Sequence, residues 1–209
     1  MNRFGIILLC LVLLPFRISH AVTSETKEFS NGNQLKFSTA GHPKSKGLNM
    51  TLSYPKSWKA MEGERPHIVQ KFVSKGGKGL EMALIITKPL PLPSGTVISE
   101  KELKEFFSPT ELRGMLPPGA TFVDAKPTRI EGLPAGILEY TMRQERAGKA
   151  VGVRTIAYTF IDGTNLVQLQ CMVSAGKLSA PTALARRMAE FSQLFFLMAN
   201  SIVLQNSYK

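Results

Sequence analysis

Carboxylates are the side chains of this chain with the clearest potential for acid–base chemistry. Four glutamates lie on or beside predicted strands: Glu81, Glu131, Glu139 and Glu145. Two carboxylates ~5 to 10 Å apart are enough to hydrolyse a glycosidic bond, so such a pair would suit a hydrolase of a polysaccharide. On alternating strands the same residues are more simply solvent-facing partners of Lys or Arg. Hydrolysis is therefore the alternative interpretation, and ion pairing is the main one.

Other familiar reactive constellations are missing from the sequence. His42 and His67 do not form a His-Glu-x-x-His pattern. The chain also has no Gly-x-Ser-x-Gly nucleophile elbow and no phosphate-binding glycine loop. We therefore expect no catalytic residue, no metal and no cofactor.

Basic side chains are the best candidates for binding. They are densest in two segments that read as hairpin turns, Lys71–Lys78 and Arg143–Lys149. A basic surface favours anionic partners, although solvated loop charges are the simpler interpretation. The candidate partner-binding residues combine these turns with two aromatic residues: Tyr54, Trp58, Lys75, Lys78, Arg143, Arg146 and Lys149.

Trp58 is the only tryptophan, and it follows Tyr54-Pro55 at the predicted end of a strand. An indole at such a position can close the end of the core while its nitrogen donates a hydrogen bond outward. The other interpretation is a platform for a ligand.

The first 21 residues determine where these side chains would act. Arg3 precedes an apolar run from Ile6 to Leu14, and Ser19-His20-Ala21 supplies small residues around a cleavage point. This pattern is typical of a secretory signal peptide, and the run is too short to span a bilayer comfortably. We expect cleavage after Ala21 and a periplasmic or secreted protein. An uncleaved anchor and lipidation at Cys10 are the alternatives.

Export limits the partners and the disulfides. Removing Arg3 and Arg17 with the leader lowers the net charge from +11 to +9. The anionic partners available outside the cytoplasm are lipid headgroups and cell-envelope polymers, whereas nucleic acid is not expected there. Peripheral contact with a membrane is compatible with the charge, and the remaining chain has no transmembrane segment. Cys171 is the one cysteine left, so no internal disulfide is expected, and we predict a buried, unreactive thiol.

The remaining 188 residues fit one domain. We predict a mobile leader over 22–47 with a short strand at Gln34–Ser38, a single domain over 48–204 and a tail over 205–209. The domain alternates strands with a few helices. Period-two patterns predict seven strands: Asn49–Tyr54, Ile68–Ser74, Leu80–Thr87, Thr121–Ile130, Gly136–Arg146, Val151–Ile161 and Asn165–Ser174.

Helix signals flank the longest strands. Ser99 and Ser108 each precede a glutamate by three residues, which predicts two short capped helices. Apolar residues recur at steps of three and four from Leu184 to Ile202, which predicts a long helix beginning near Pro181. The short turns between Gly136 and Ser174 predict an antiparallel meander. The fold class is therefore α+β, with an antiparallel sheet between helices.

The segment Gly47–Trp58, which contains Tyr54-Pro55, resembles the opening of PsbP/Mog1-like domains. The closing segment from Phe191 to Val203 also resembles that superfamily, and the likeness covers residues 48–204. It implies an α/β/α sandwich, in agreement with the order of predicted elements. Its members include photosystem-associated lumenal proteins, a nuclear-transport factor and exported bacterial proteins. Most are binding or assembly factors without a common catalytic site, so the resemblance assigns no functional residue.

Together these features predict an exported, non-enzymatic binding or assembly factor of the cell envelope. Its partner would be a protein or an anionic envelope component. The alternative is a hydrolase that acts on an envelope polymer through paired carboxylates.

Overall fold

The computed structural model describes residues 22–93, 96–146, 149–175 and 181–205. The predicted signal peptide, 1–21, and most of the predicted tail, 206–209, lie outside these ranges. The described chain forms a mixed α+β fold in which all strand pairs are antiparallel.

The elements follow one another from a short helix to a long one. The helices are α1 (Ser24–Ser30), α2 (Ser74–Gly77, a single turn), α3 (Glu100–Phe106), α4 (Pro109–Gly114) and α5 (Pro181–Asn200), with a 3-10 turn at Pro43–Ser45. The strands are β1 (Gln34–Ser38), β2 (Met50–Pro55), β3 (Lys59–Glu62), β4 (Ile68–Val73), β5 (Met82–Pro89), β6 (Thr121–Ile130), β7 (Leu133–Arg146), β8 (Lys149–Asp162), β9 (Asn165–Ala175) and β10 (Val203–Leu204).

The main sheet has seven strands in the order β3-β4-β5-β9-β8-β7-β6. Strands β7 to β9 form the predicted meander, and β6 extends it by one antiparallel strand. The β6–β7 turn is two residues long, and Glu131 and Gly132 both have positive φ angles, 48° and 76°. Two such residues match the twist of the flanking strands and fix the register Ile130↔Leu133.

Helix α5 covers one face of this sheet. Its buried stripe is the predicted one and includes Met188, Phe191 and Phe195. On β9, Leu169 and Cys171 belong to the same core because alternate residues of a strand point to the same face. The prediction of a buried thiol is confirmed.

Helices α3 and α4 cover part of the opposite face. Phe107 and Leu112 form a separate apolar cluster with Ile161, whereas the neighbouring Phe160 belongs to the α5 core. Ser99 caps α3 in a reciprocal capping box with Glu102, and Ser108 caps α4. The sheet therefore lies between helices, which confirms the predicted fold class.

A second sheet, in the order β1-β2-β10, was not expected from the sequence. The alternation over Asn49–Tyr54 is typical of a strand with one solvent-facing side, but Ser53 of β2 is buried. Its amide donates to Ser201 Oγ at 2.9 Å, because the chain after α5 returns to this strand.

The segment 22–47 differs from the predicted mobile leader. Its strand at Gln34–Ser38 is confirmed, but it pairs with β2 along its whole length. Helix α1 contacts α5, and Phe29 is buried in the main core. Burial of the Phe29 side chain stabilises this segment, although its polar composition had suggested mobility.

Within the described ranges, no helix combines the length and the apolar character needed to cross a membrane.

Candidate functional site

A basic cleft of about 360 Å³ lies between the β4–β5 hairpin and the first half of α5. We call it the basic cleft. Its walls come from two segments distant in sequence: Lys75, Lys78, Gly79, Leu80 and Glu81 on the hairpin, Ser174 on β9, and Ala183, Arg186, Arg187 and Glu190 on α5.

Glu81 is the buried residue at the centre of this arrangement. Its side chain is 3% exposed. The Ser74 hydroxyl donates to one carboxylate oxygen at 2.7 Å, and Arg187 donates to the other from Nε at 2.8 Å and from Nη2 at 2.6 Å. Burial alone would raise the pKa of Glu81, but the Ser74 and Arg187 hydrogen bonds outweigh it and lower that pKa. The carboxylate is therefore held ionised.

Arg187 is fixed on three sides. Its Nη1 donates to Glu190 Oε2 at 2.7 Å, and its guanidinium lies 4.5 Å from the centre of the Phe191 ring. Burial would lower the pKa of Arg187, but the hydrogen bonds that it donates to Glu190 and Glu81 raise that pKa above its usual value. The result is a rigid cation at the wall of the cleft.

The backbone of the β4–β5 hairpin is also constrained. Lys75 adopts a left-handed conformation, with φ 50°, and the next amide, of Gly76, donates to the Ser57 carbonyl at 3.0 Å. Gly79 is required by close approach, since a Cβ there would lie 1.6 Å from Ser74 Oγ. The absence of a side chain at Gly79 thus leaves room for Ser74 to reach Glu81.

Three further cations surround the Glu81–Arg187 ion pair. Lys75, Lys78 and Arg186 are exposed. Among the described residues, neither lysine forms an ion pair, and Arg186 reaches Glu190 only at 4.0 Å. Four basic and two acidic side chains therefore line the cleft, and the unneutralised charge is positive. Such a site can hold a phosphate or carboxylate group.

The structure separates the residues that the sequence grouped as candidates. Lys75 and Lys78 line the cleft. Tyr54 and Trp58 are buried, in contact with Phe72 and Phe195 respectively. Trp58 Nε1 does not donate outward as predicted: it is buried, with no acceptor among the described residues.

In the second predicted basic segment, the described side chain of Arg143 does not line the cleft. Arg143 is exposed on β7, opposite Gly152. The backbones of Arg146 and Lys149 end β7 and begin β8, while their side chains are outside the described part of the structure.

The sequence did not single out Arg186, Arg187 and Glu190 as candidate site residues. The spacing of Arg187 and Glu190 is a helical ion-pair signal that could have been used. Nothing in the sequence connects that signal with Glu81, 106 residues away.

Two of the four glutamates proposed for hydrolysis are held by arginines. Glu81 is bound to Arg187, and Glu139 accepts from Arg154 Nε at 2.6 Å. Glu139 and Glu145 are six residues apart on one strand, a separation of ~20 Å. A general acid also requires a raised pKa, whereas that of Glu81 is lowered.

Comparisons with known proteins give only distant similarity. No family model and no curated protein matches the chain. Among solved structures, the chain is similar to a protein of Bacteroides thetaiotaomicron, with 13% identity and a TM-score of 0.44 over 85% of this chain and 50% of that one. It is also similar to LpqN of Mycobacterium tuberculosis, a protein involved in cell envelope biogenesis, with 16% identity and a TM-score of 0.46 over 84% and 93%. The chain thus spans half the length of the Bacteroides protein.

Proposed function

We propose that this chain is an exported binding factor that engages an anionic component of the cell envelope through the basic cleft. The observation that carries the proposal is the set of three exposed cations, Lys75, Lys78 and Arg186, that line the cleft. They surround Arg187, which the buried carboxylate of Glu81 holds in place. The ligand group is a phosphate or a carboxylate, presented by a lipid headgroup or by an envelope polymer.

The fixed ion pair supports a binding role because it removes a cost of association. Arg187 is held in place before any ligand arrives, so no side-chain freedom of this residue is lost on binding. The flexible lysines can then adjust to the shape of the anion. A volume of about 360 Å³ also lies in the range of sites for small groups.

Export from the cytoplasm and the relationship to the PsbP/Mog1-like superfamily are part of the same proposal. Export is supported by the Arg3 and Ile6–Leu14 pattern, and the PsbP/Mog1-like relationship by Tyr54-Pro55 and Trp58. Hydrolysis through paired carboxylates gains no support, because Glu81 and Glu139 are each held by an arginine.

The test compares two triple variants with the same charge change. Lys75→Gln/Lys78→Gln/Arg186→Gln removes the exposed cations of the cleft. Lys36→Gln/Lys56→Gln/Lys126→Gln removes three exposed lysines that do not line it. Binding is measured to vesicles of phosphatidylcholine with and without phosphatidylglycerol, and to polygalacturonate as a soluble acidic polymer.

We expect the cleft triple to lose about tenfold or more in affinity for one of these probes, since each cation contributes ~1 kcal/mol near an anionic surface. The control triple should lose much less. Binding confined to phosphatidylglycerol vesicles identifies a lipid headgroup, and binding confined to polygalacturonate identifies a polymer. Equal losses in both triples, or no binding to either probe, overturn the proposal.

A further inference from the structure

A second groove, of about 550 Å³, lies on the opposite side of the sheet, where α3 and α4 meet β6 and β7. We call it the proline groove. Its apolar lining comes from Phe107, Pro109, Pro127, Pro134 and Ala135. The volume lies within the ~300–1,000 Å³ of sites that bind small molecules.

Three of the nine lining residues offer no backbone hydrogen-bond donor, and the polar side chains of the lining are Lys104, Ser108, Thr128 and Arg129. Pro109, Pro127 and Pro134 have no amide N–H. Strand β6 is the edge of the main sheet, but Pro127 interrupts the row of donors that an added peptide strand would need. Polar groups lying along the proline rings would be left unsatisfied, whereas a hydrocarbon chain has none to satisfy.

Two cations lie at the rim of the proline groove and share one partner. Lys104 Nζ is 3.0 Å and Arg129 Nη1 is 3.3 Å from the same Glu100 oxygen. Their side chains are 61% and 54% exposed. One carboxylate thus balances two positive charges, which leaves the rim complementary to one further anion.

We propose that the proline groove binds a free, single-chain fatty acid. The hydrocarbon chain would lie against Phe107 and the proline rings, and the carboxylate would pair with Lys104 and Arg129. This inference uses a different surface and a different ligand chemistry from the basic cleft, and it is independent of the proposed function.

The experiment measures calorimetric binding of dodecanoate below its micelle concentration to the purified protein. Dodecyl maltoside supplies the same chain with a neutral head, and butanoate supplies the carboxylate with almost no chain. We expect dodecanoate to bind and both comparison ligands to bind at least about tenfold more weakly, since each lacks one half of the recognition.

Matched variants locate the binding. Lys104→Gln/Arg129→Gln should weaken dodecanoate binding about tenfold. Lys101→Gln/Lys126→Gln, which removes two exposed cations of the same helix and strand outside the groove, should leave it unchanged. The Lys75→Gln/Lys78→Gln/Arg186→Gln variant should also bind dodecanoate normally, which keeps this test separate from that of the basic cleft.

A blocking variant tests the cavity itself. Thr128→Trp places a large ring in the groove at a strand position where aromatic side chains are favoured. It should abolish dodecanoate binding while the circular dichroism spectrum is kept. Absence of dodecanoate binding to the parent protein, equal binding of dodecyl maltoside, or binding unaffected by both groove variants overturns the proposal. Sedimentation showing a dimer that Thr128→Trp dissociates would assign the groove to a second copy instead, which also overturns it.

Discussion

Arg187 donates two hydrogen bonds to a single oxygen of Glu81, one from Nε at 2.8 Å and one from Nη2 at 2.6 Å. The carboxylate is almost fully buried, whereas the guanidinium side chain is 34% exposed. This pair joins the β4–β5 hairpin to α5 across a cleft that no continuous element spans. The position of the hairpin cations therefore depends on it.

Replacing Arg187 with methionine should destabilise the protein by about 2 kcal/mol. Breaking a fully buried ion pair costs ~3–5 kcal/mol and an exposed pair ~1 kcal/mol or less; the partial exposure of Arg187 places it between them. The free energy of unfolding in urea measures the change. Arg186→Met is the matched control, and we expect it to change stability by less than ~0.5 kcal/mol.

The double variant Glu81→Met/Arg187→Met separates the direct interaction of these two side chains from the contribution of their packing to stability. It leaves no unpaired buried carboxylate at position 81, so it should be more stable than the sum of the two single changes predicts. Additive losses would contradict direct coupling between the two residues.

Acid should weaken the fold through Glu81. Its folded-state pKa is lowered, so the unfolded chain, with a glutamate pKa of ~4.3, takes up the proton first. The stabilisation is present above ~pH 5 and is lost as the pH falls through the folded-state pKa. Urea unfolding between ~pH 7 and ~pH 3 should give a smaller acid loss for Glu81→Gln than for the parent.

Several exposed glutamates with lowered pKa values, among them Glu62 and Glu100, also contribute to the acid slope. Their ion pairs lie at the surface and are screened by salt. The difference between the parent and Glu81→Gln should therefore persist in high salt. A difference that disappears there would contradict the assignment to Glu81.

Gly136→Ala should destabilise the protein by about 1–3 kcal/mol through overpacking. A Cβ at this position of β7 would lie 2.3 Å from Leu112 Cδ2 and 3.0 Å from Phe107 Cδ1. Helix α4 must then move away from the sheet. The midpoint of thermal unfolding measures the effect.

Gly114→Ala is the control for that change. Gly114 lies on the same helix as Leu112 and has open space around its Cα. Alanine should leave stability unchanged or raise it by up to ~1 kcal/mol. Similar losses for both alanines would show that the contact with Leu112 is not the cause.

Cys171 should resist thiol reagents in the native protein. It is fully buried against the α5 core, and burial raises the pKa of its thiol far above the usual value. Iodoacetamide should label Cys171 only in guanidinium chloride, as mass spectrometry of the peptide that contains Cys171 can show. Rapid native labelling would contradict the burial.

Much of the secondary structure could be predicted because its signals are local. The alternation over Thr121–Ile130 gave the bounds of β6, and Ser99 and Ser108 marked the starts of α3 and α4. Strand β3 at Lys59–Glu62 escaped notice because four mixed residues carry no clear period. Helix α1 escaped because its contact, Phe29 on the main core, is distant in sequence.

The candidate site was less predictable than the fold. Lys75 and Lys78 stood out as a basic turn, but Trp58 and Tyr54 proved to be core residues. An aromatic ring reads the same in sequence whether it lines a groove or fills an interior. Only the packing around it distinguishes the two.

By itself, the sequence determined the periodic elements, the fold class, the excess of positive charge and the single cysteine after residue 21. The tertiary structure alone decided that Glu81 pairs with Arg187, that β2 belongs to a second sheet, and that the turn with Lys75 and Lys78 faces α5. The physical reason is the distance along the sequence between the residues that interact. Helix caps, turns and strand periods depend on neighbours a few residues away, whereas a contact across 106 residues depends on the packing of every element between them.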